Sequence, residues 1–151
     1  MLFRSVLNRS DGKFPPAESL AKGAYVLEDA KGKPDVILIG TGAEVHLALQ
    51  AKMLLSEKDI DARVVSMPSW ELFENMPEDY RNEVLPPDIT ARVAVEAGNS
   101  MGWERYVGSS GIMIGIDHFG SSAPGGVLME KFGFTPENIV SETIKLVNKH
   151  K

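Results

Sequence analysis

One run of residues constrains the fold more than any other: Asp35-Val36-Ile37-Leu38-Ile39-Gly40. Its apolar side chains are consecutive, with no polar residue alternating between them. An extended strand of this kind is buried on both faces, the pattern of a central strand in a parallel sheet. Parallel strands cannot be joined by a tight turn and need a crossover, usually helical. The following residues supply one, because Val45, Leu47, Ala48, Ala51, Leu54 and Leu55 recur at helical spacing within 43–57.

The alternation then repeats. Residues 61–67 read as a strand ended by Pro68, and short helical pieces follow around Trp70–Phe73 and Pro77–Val84, before Pro86-Pro87. Residues 91–96 form a fourth strand, Met101–Val107 a short helix and Ile112–Ile116 a fifth strand. Gly-rich and Ser-rich loops lead to the last helices, Pro124–Lys131 and Pro136–Lys149. Thr135 before Pro136 and Glu137 marks a helix start: a capping hydroxyl, proline in the first turn and an acid near the dipole. Ahead of the central run, Ala24–Glu28 is a further strand, and the turn residues of 29–34 suggest a hairpin joining it to 35–40. The expectation is a three-layer α/β/α sandwich with a five-stranded, mostly parallel sheet and one antiparallel edge strand. Residues 1–22, broken by Pro15-Pro16, read as a lead-in or linker, and 23–151 as one domain.

Charge and composition remove whole classes of function. Sixteen basic against twenty-one acidic side chains give −5, which repels a phosphate backbone. The stretches Lys31-Gly32-Lys33 and Lys149-His150-Lys151 read as a solvated turn and tail, so no nucleic-acid partner is expected. The absence of cysteine rules out disulfides, thiolate metal sites and Cys nucleophiles. No apolar run reaches the ~18 residues of a spanning helix. The segment Met1–Asn8 carries Arg4 inside its apolar patch and lacks a secretory core. A cytoplasmic chain without a membrane partner is expected.

Gly40-Thr41-Gly42-Ala43-Glu44-Val45 lies at a strand–helix junction, where a dinucleotide fingerprint would sit. Val45 occupies the third glycine position, and Ser66-Met67 ends the next strand where a ribose-binding acid is needed. Two readings of the segment remain: a capping box, with the Thr41 hydroxyl on the third helical amide and Glu44 reaching back, or an anion site on the same amides. No GxxxxGK[ST] loop occurs. Glu96, Gly98 and Asn99 follow the fourth strand, and Asp117 and His118 the fifth, at the carboxyl ends where open α/β sheets place ligands. They suit acid–base chemistry, or equally bonds to loop amides and Arg105, or a subunit boundary. The candidate anion or effector cleft therefore comprises Thr41, Gly42, Ala43, Glu44, Ser69, Asn99 and His118. His46 and His150 have no ligand partner at metal-binding spacing. Ser109-Ser110 and Ser121-Ser122 lie outside any GxSxG elbow. Trp70, Phe73, Trp103 and Tyr106 read as packing residues or interface markers.

Four segments together resemble one family: residues 22–27 (KGAYVL), 66–73 (SMPSWELF), 91–98 (ARVAVEAG) and 114–124 (IGIDHFGSSAP). Their order and spacing are similar to the C-terminal third of transketolase, with further matches at 40–45 and at 130–135 (EKFGFT). The resemblance runs from about Lys22 to Val147. It implies a parent enzyme that transfers a two-carbon ketol unit between sugar phosphates in the pentose phosphate pathway. It also implies thiamine diphosphate and a divalent cation, Mg or Ca, held by other domains at a homodimer interface. No Gly-Asp-Gly tripeptide occurs here, so the family's diphosphate–metal motif is absent, and its activating glutamate belongs to a domain upstream. No catalytic, cofactor-binding or metal-binding residue is thus expected in this chain, which alone should be inactive. Its implied role is structural, packing on the cofactor-binding domains of the parent and supporting a dimer. The alternatives are a phosphometabolite-binding regulatory module and a natural subunit of a split transketolase. In the family, the strand-end cleft is regarded as a possible effector site without an established ligand. The resemblance implies Arg in many relatives at the position that His118 holds here.

Overall fold

The computed structural model describes residues 7–150, apart from the His150 side chain. Expectations for Met1–Val6, and for Lys151 and the His150 side chain in the tail, lie outside these residues. One sheet carries five strands: β1 (Tyr25–Glu28), β2 (Val36–Gly40), β3 (Ala62–Ser66), β4 (Arg92–Val95) and β5 (Ile112–Ile114), in the order β1-β3-β2-β4-β5. β2 through β5 are mutually parallel and β1 is antiparallel on β3. The helices are α1 (Val45–Ser56), α2 (Trp70–Glu74), α3 (Glu78–Val84), α4 (Glu104–Val107), α5 (Gly125–Lys131) and α6 (Pro136–His150).

Each residue of β2 is buried, as the unbroken apolar run requires. Val36 and Leu38 join one core with Ala48, Leu55, Ile139 and Leu146 of α1 and α6. Ile37 and Ile39 join the other, with Phe73, Val84, Trp103 and Tyr106 of α2, α3 and α4 and the turn before α4. Strand alternation thus divides the apolar side chains between two helical layers, and the three-layer expectation holds.

The expected hairpin is corrected. β1 does not pair with β2 but with β3, in the register Tyr25↔Ser66 and Val26↔Val65. The α1 crossover lays β3 along one side of β2, and β4 takes the other. Both edges of the central strand are then filled, and β1 caps the remaining edge of β3. The loop after β1 is tied to β3 and its approach: Asp29 accepts two bonds from Arg63, at 2.7 and 2.9 Å, and Lys52 Nζ bonds the carbonyls of Asp29 and Ala62. The described part of the lead-in follows the same edge. Arg9 bonds the Tyr25 hydroxyl and the Pro15 carbonyl, Lys13 pairs with Glu28 at 3.5 Å, and a 3-10 turn spans Ala17–Lys22. Gly23 closes this segment at φ +77°, where a Cβ would stand 2.3 Å from the Phe73 nitrogen.

Smaller differences concern strand and helix ends. β5 stops at Ile114, because the Ile116 N–H turns to the Gly98 carbonyl (2.7 Å) and fastens the loop after β5 to the loop after β4. α4 begins only at Glu104, since Gly102 at φ +90° interrupts a right-handed helix from Met101. The Thr135 cap is present, its hydroxyl accepting the Asn138 N–H at 3.2 Å.

Candidate functional site

The carboxyl ends of β2, β3 and β4 open on a cleft of 260 Å³, lined by Thr41, Met67, Pro68, Ser69, Trp70, Glu71, Glu96 and Trp103. Ser69 caps α2: its hydroxyl accepts the Leu72 N–H at 3.3 Å and donates to Glu71 Oε2 at 3.0 Å. The Glu71 backbone N–H first, and the Ser69 hydroxyl second, hold the Glu71 carboxyl below its usual range. Glu96 Oε2 accepts the Trp103 indole N–H at 2.8 Å. Trp103 is buried and meets Trp70 edge to face, centroids 5.2 Å apart, while Tyr106 closes the cluster at 5.4 and 6.0 Å from the two indoles. Gly102 permits this contact, since a Cβ there would lie 2.9 Å from the Trp70 ring.

Glu44 is buried beside this group. Burial pushes its carboxyl up, and the charge of Glu96 adds to the rise against the pull of the Glu44 and Ala97 amides. The capping-box reading is corrected here. Thr41 makes no side-chain cap bond, and the Glu44 N–H goes instead to the Thr41 carbonyl at 3.2 Å. Gly42, at φ +56°, bends the chain into a 3-10 turn, Gly42–Glu44, so that α1 starts at Val45 beyond reach of the Thr41 hydroxyl.

Of the residues expected at the cleft, Thr41 and Ser69 line it, and Gly42, Ala43 and Glu44 form the adjoining turn. Asn99 and His118 are not among its lining residues. Asn99 Oδ1 accepts the Met101 N–H at 2.9 Å, and His118 packs on Phe132 at 4.7 Å with Nδ1 near the Phe119 carbonyl. Asp117 Oδ1 accepts the Ser100 N–H at 2.9 Å, and bonds to Ser100 hold its carboxyl below the usual range. Arg105 approaches Glu74 at 3.9 Å and not the strand-end acids. The residues that complete the cleft, Trp70, Glu71 and Trp103, read from the sequence only as packing groups or passed unnoticed. The pairing of Trp103 with Glu96 depends on the turn at Gly102, which periodicity does not reveal. Among the described residues no group of three or more His, Asp or Glu is placed to hold a metal ion, and no helix is long and apolar enough to cross a membrane.

Fold and cleft together define a class: a doubly covered α/β domain with an antiparallel edge strand, whose strand-end cleft is acidic and walled by indoles. Residues 23–135 match the family described as the Transketolase-like TK C-terminal domain. The chain belongs to this family. Transketolase of Aquifex aeolicus is 55% identical over 133 residues, which cover 88% of this chain and 19% of that protein. The structure of transketolase from Leishmania mexicana superposes with a TM-score of 0.81 at 40% identity, covering 87% of this chain and 19% of that one. A split-gene transketolase, described as an inactive beta4 tetramer, shares the fold at TM-score 0.65 and 23% identity, covering 83% of this chain and 42% of that one. The chain spans about a fifth of the length of the curated relatives it matches.

Proposed function

We propose that this chain acts as the C-terminal structural domain of a transketolase. The whole enzyme transfers a two-carbon ketol unit between sugar phosphates in the pentose phosphate pathway of the cytoplasm. Thiamine diphosphate and Mg or Ca are held by its other domains, and this domain supports their packing and the homodimer. Residues 1–22 serve as the lead-in and 23–151 as the domain. One observation carries the reading: identity of 55% extends over 88% of this chain yet touches only 19% of the relative. The remaining four-fifths of such a protein is where the proposed cofactor chemistry resides.

The cleft argues the same way. Glu71 and Glu96 face its space, and a sugar phosphate placed there would meet like charge without a lysine or arginine among the lining residues. A scaffold is therefore favoured over a phosphometabolite sensor at Thr41, Gly42, Ala43, Glu44, Ser69, Asn99 and His118. Added thiamine diphosphate and magnesium should produce no ketol transfer by the purified 151-residue chain, whereas a polypeptide including the upstream domains should turn over. Turnover by the short chain alone overturns the proposal. The split-gene neighbour favours a second reading, in which a separate polypeptide carries the cofactor site. An immunoblot of source cells separates the two: a band several-fold above 16.5 kDa supports the first, and a band at 16.5 kDa with a co-purifying partner the second.

A further inference from the structure

A second recess, of 290 Å³, opens at the amino end of the sheet, away from the strand-end cleft. Its wall holds Pro87 and Thr90 from the loop before β4, Arg92 at the first position of β4, and Ser109 and Ser110 from the loop between α4 and β5. β4 and β5 are parallel, so the two loops meet at the same end. Arg92 is the only charged residue among those that line the recess.

A guanidinium drawn into a protein ordinarily pairs with a carboxylate. This one meets the carbonyls of Leu85, Pro86, Ile89 and Tyr106 instead, whose dipoles leave its full charge uncancelled. Its Nη1, bonded once, keeps a second N–H. Burial lowers its affinity for the proton, and no carboxylate acts against that fall. The acids nearest in sequence are engaged elsewhere. Asp88 pairs with Lys33 at 2.8 Å, and Glu104 Oε2 accepts the Gly102 N–H at 2.8 Å.

The uncancelled charge stands among donors that the fold leaves unused. The N–H groups of Ser109 and Ser110 bond no carbonyl among the described residues, and the Thr90, Ser109 and Ser110 hydroxyls lie on exposed residues. The loop that carries the serines is fixed in place by Gly111. A Cβ there would stand 2.3 Å from the Val107 carbonyl oxygen and 2.8 Å from that of Arg92.

We infer that this recess binds a phosphate group, free or as a small monoester, on Arg92, Thr90, Ser109 and Ser110. Guanidinium, hydroxyl and backbone N–H donors converging from two loops suit a tetrahedral oxyanion. The volume lies just below the range of small-molecule pockets, about 300–1,000 Å³, so the occupant is small.

Amide exchange in the full-length protein, read by peptide mass spectrometry, tests this. Inorganic phosphate is compared with sodium chloride of the same ionic strength. Peptides covering 107–111 should exchange at least about threefold more slowly at about 10 mM phosphate, while those covering 41–45 keep their rates. Glycerol 3-phosphate forms the second arm. Protection by either ligand supports the site, and the lower midpoint tells the free ion from the monoester. In the double variant Thr90→Ala, Ser109→Ala the midpoint should rise at least about tenfold, the worth of one hydrogen bond to a charged group. No difference from sodium chloride with either ligand overturns the proposal, as does a midpoint that the double variant leaves unmoved. Should the double variant fail to fold, the wild-type comparison alone decides. The readout is local to this loop, so a negative result leaves the proposed function standing.

Discussion

Arg92 should be worth more to this fold than its position at the start of a strand suggests. Its guanidinium bonds four carbonyls: Ile89 (2.8 Å), Tyr106 (2.8 Å), Leu85 (3.2 Å) and Pro86 (2.8 Å). These lie at the end of α3, in the loop leading to β4 and in α4, so one side chain ties that helical layer to the sheet. No ion pair joins it among the described residues, and burial lowers its affinity for the proton. Hydrogen bonds to a charged group contribute about 1.5–3 kcal/mol each, but four bonds sharing one half-buried group do not add. The expected loss for Arg92→Met, which keeps the apolar stem, is about 3 kcal/mol. For a chain of this size that corresponds to a fall of roughly 6–12 °C in Tm. Urea unfolding of the chain and its variant, followed by Trp fluorescence, gives the difference directly. Arg105→Met serves as the control, because Arg105 is exposed and its contact with Glu74 spans 3.9 Å. A loss for Arg92→Met within about 0.5 kcal/mol of wild type, the range of a neutral surface change, would refute the reasoning.

Other outcomes follow from the strand-end geometry. Glu44→Gln should stabilise the chain at neutral pH and lose that advantage in acid. A carboxyl raised in the folded state binds its proton more tightly there, so native stability falls as pH rises from the usual 4.5 through the folded value; a pH-independent difference in urea midpoints between the two chains would contradict this. Thr41→Ala should change stability by less than about 0.5 kcal/mol, against about 1 kcal/mol for a true helix cap, since its hydroxyl makes no cap bond. Gly23→Ala should cost more than about 3 kcal/mol, because φ is +77° and the new Cβ would overlap backbone at 2.3 Å; a near-native melting curve would show that the segment can move aside. Asp117→Ala should speed amide exchange at Ser100, whose N–H would lose its acceptor, while Thr41 and Ser69 amides keep their rates.

The elements that could be read from the chain were those fixed by local pattern. Val36–Ile39 required a strand buried on both faces, and the spacing from Val45 to Leu55 a crossover helix. Thr135-Pro136-Glu137 required a helix start, because hydroxyl, ring and carboxylate each favour it on its own. What escaped was the choice of neighbour. A turn-rich segment after β1 suits a hairpin with β2, and only competition for the edges of β2 makes that pairing impossible. The signals for this were present in Asp29, Lys52 and Arg63, but they are informative only once 29 and 63 are adjacent in space.

The candidate cleft divides in the same manner. Thr41 and Ser69 were visible because strand-to-helix junctions at the carboxyl end of a sheet are predictable places. Its chemistry was not, because that depends on side chains that arrive by different routes. Gly102 must take a positive φ before Trp103 can reach Glu96 and Trp70 can cover both, and Gly42 must do the same before Glu44 is turned inward beside Glu96. Two glycines thus convert a segment that resembles an anion-binding helix start into an acidic, indole-walled recess. The same conversion carries a functional consequence. Electrostatics at this end of the sheet oppose a phosphate in the cleft, whose lining holds Glu71 and Glu96 and no lysine or arginine.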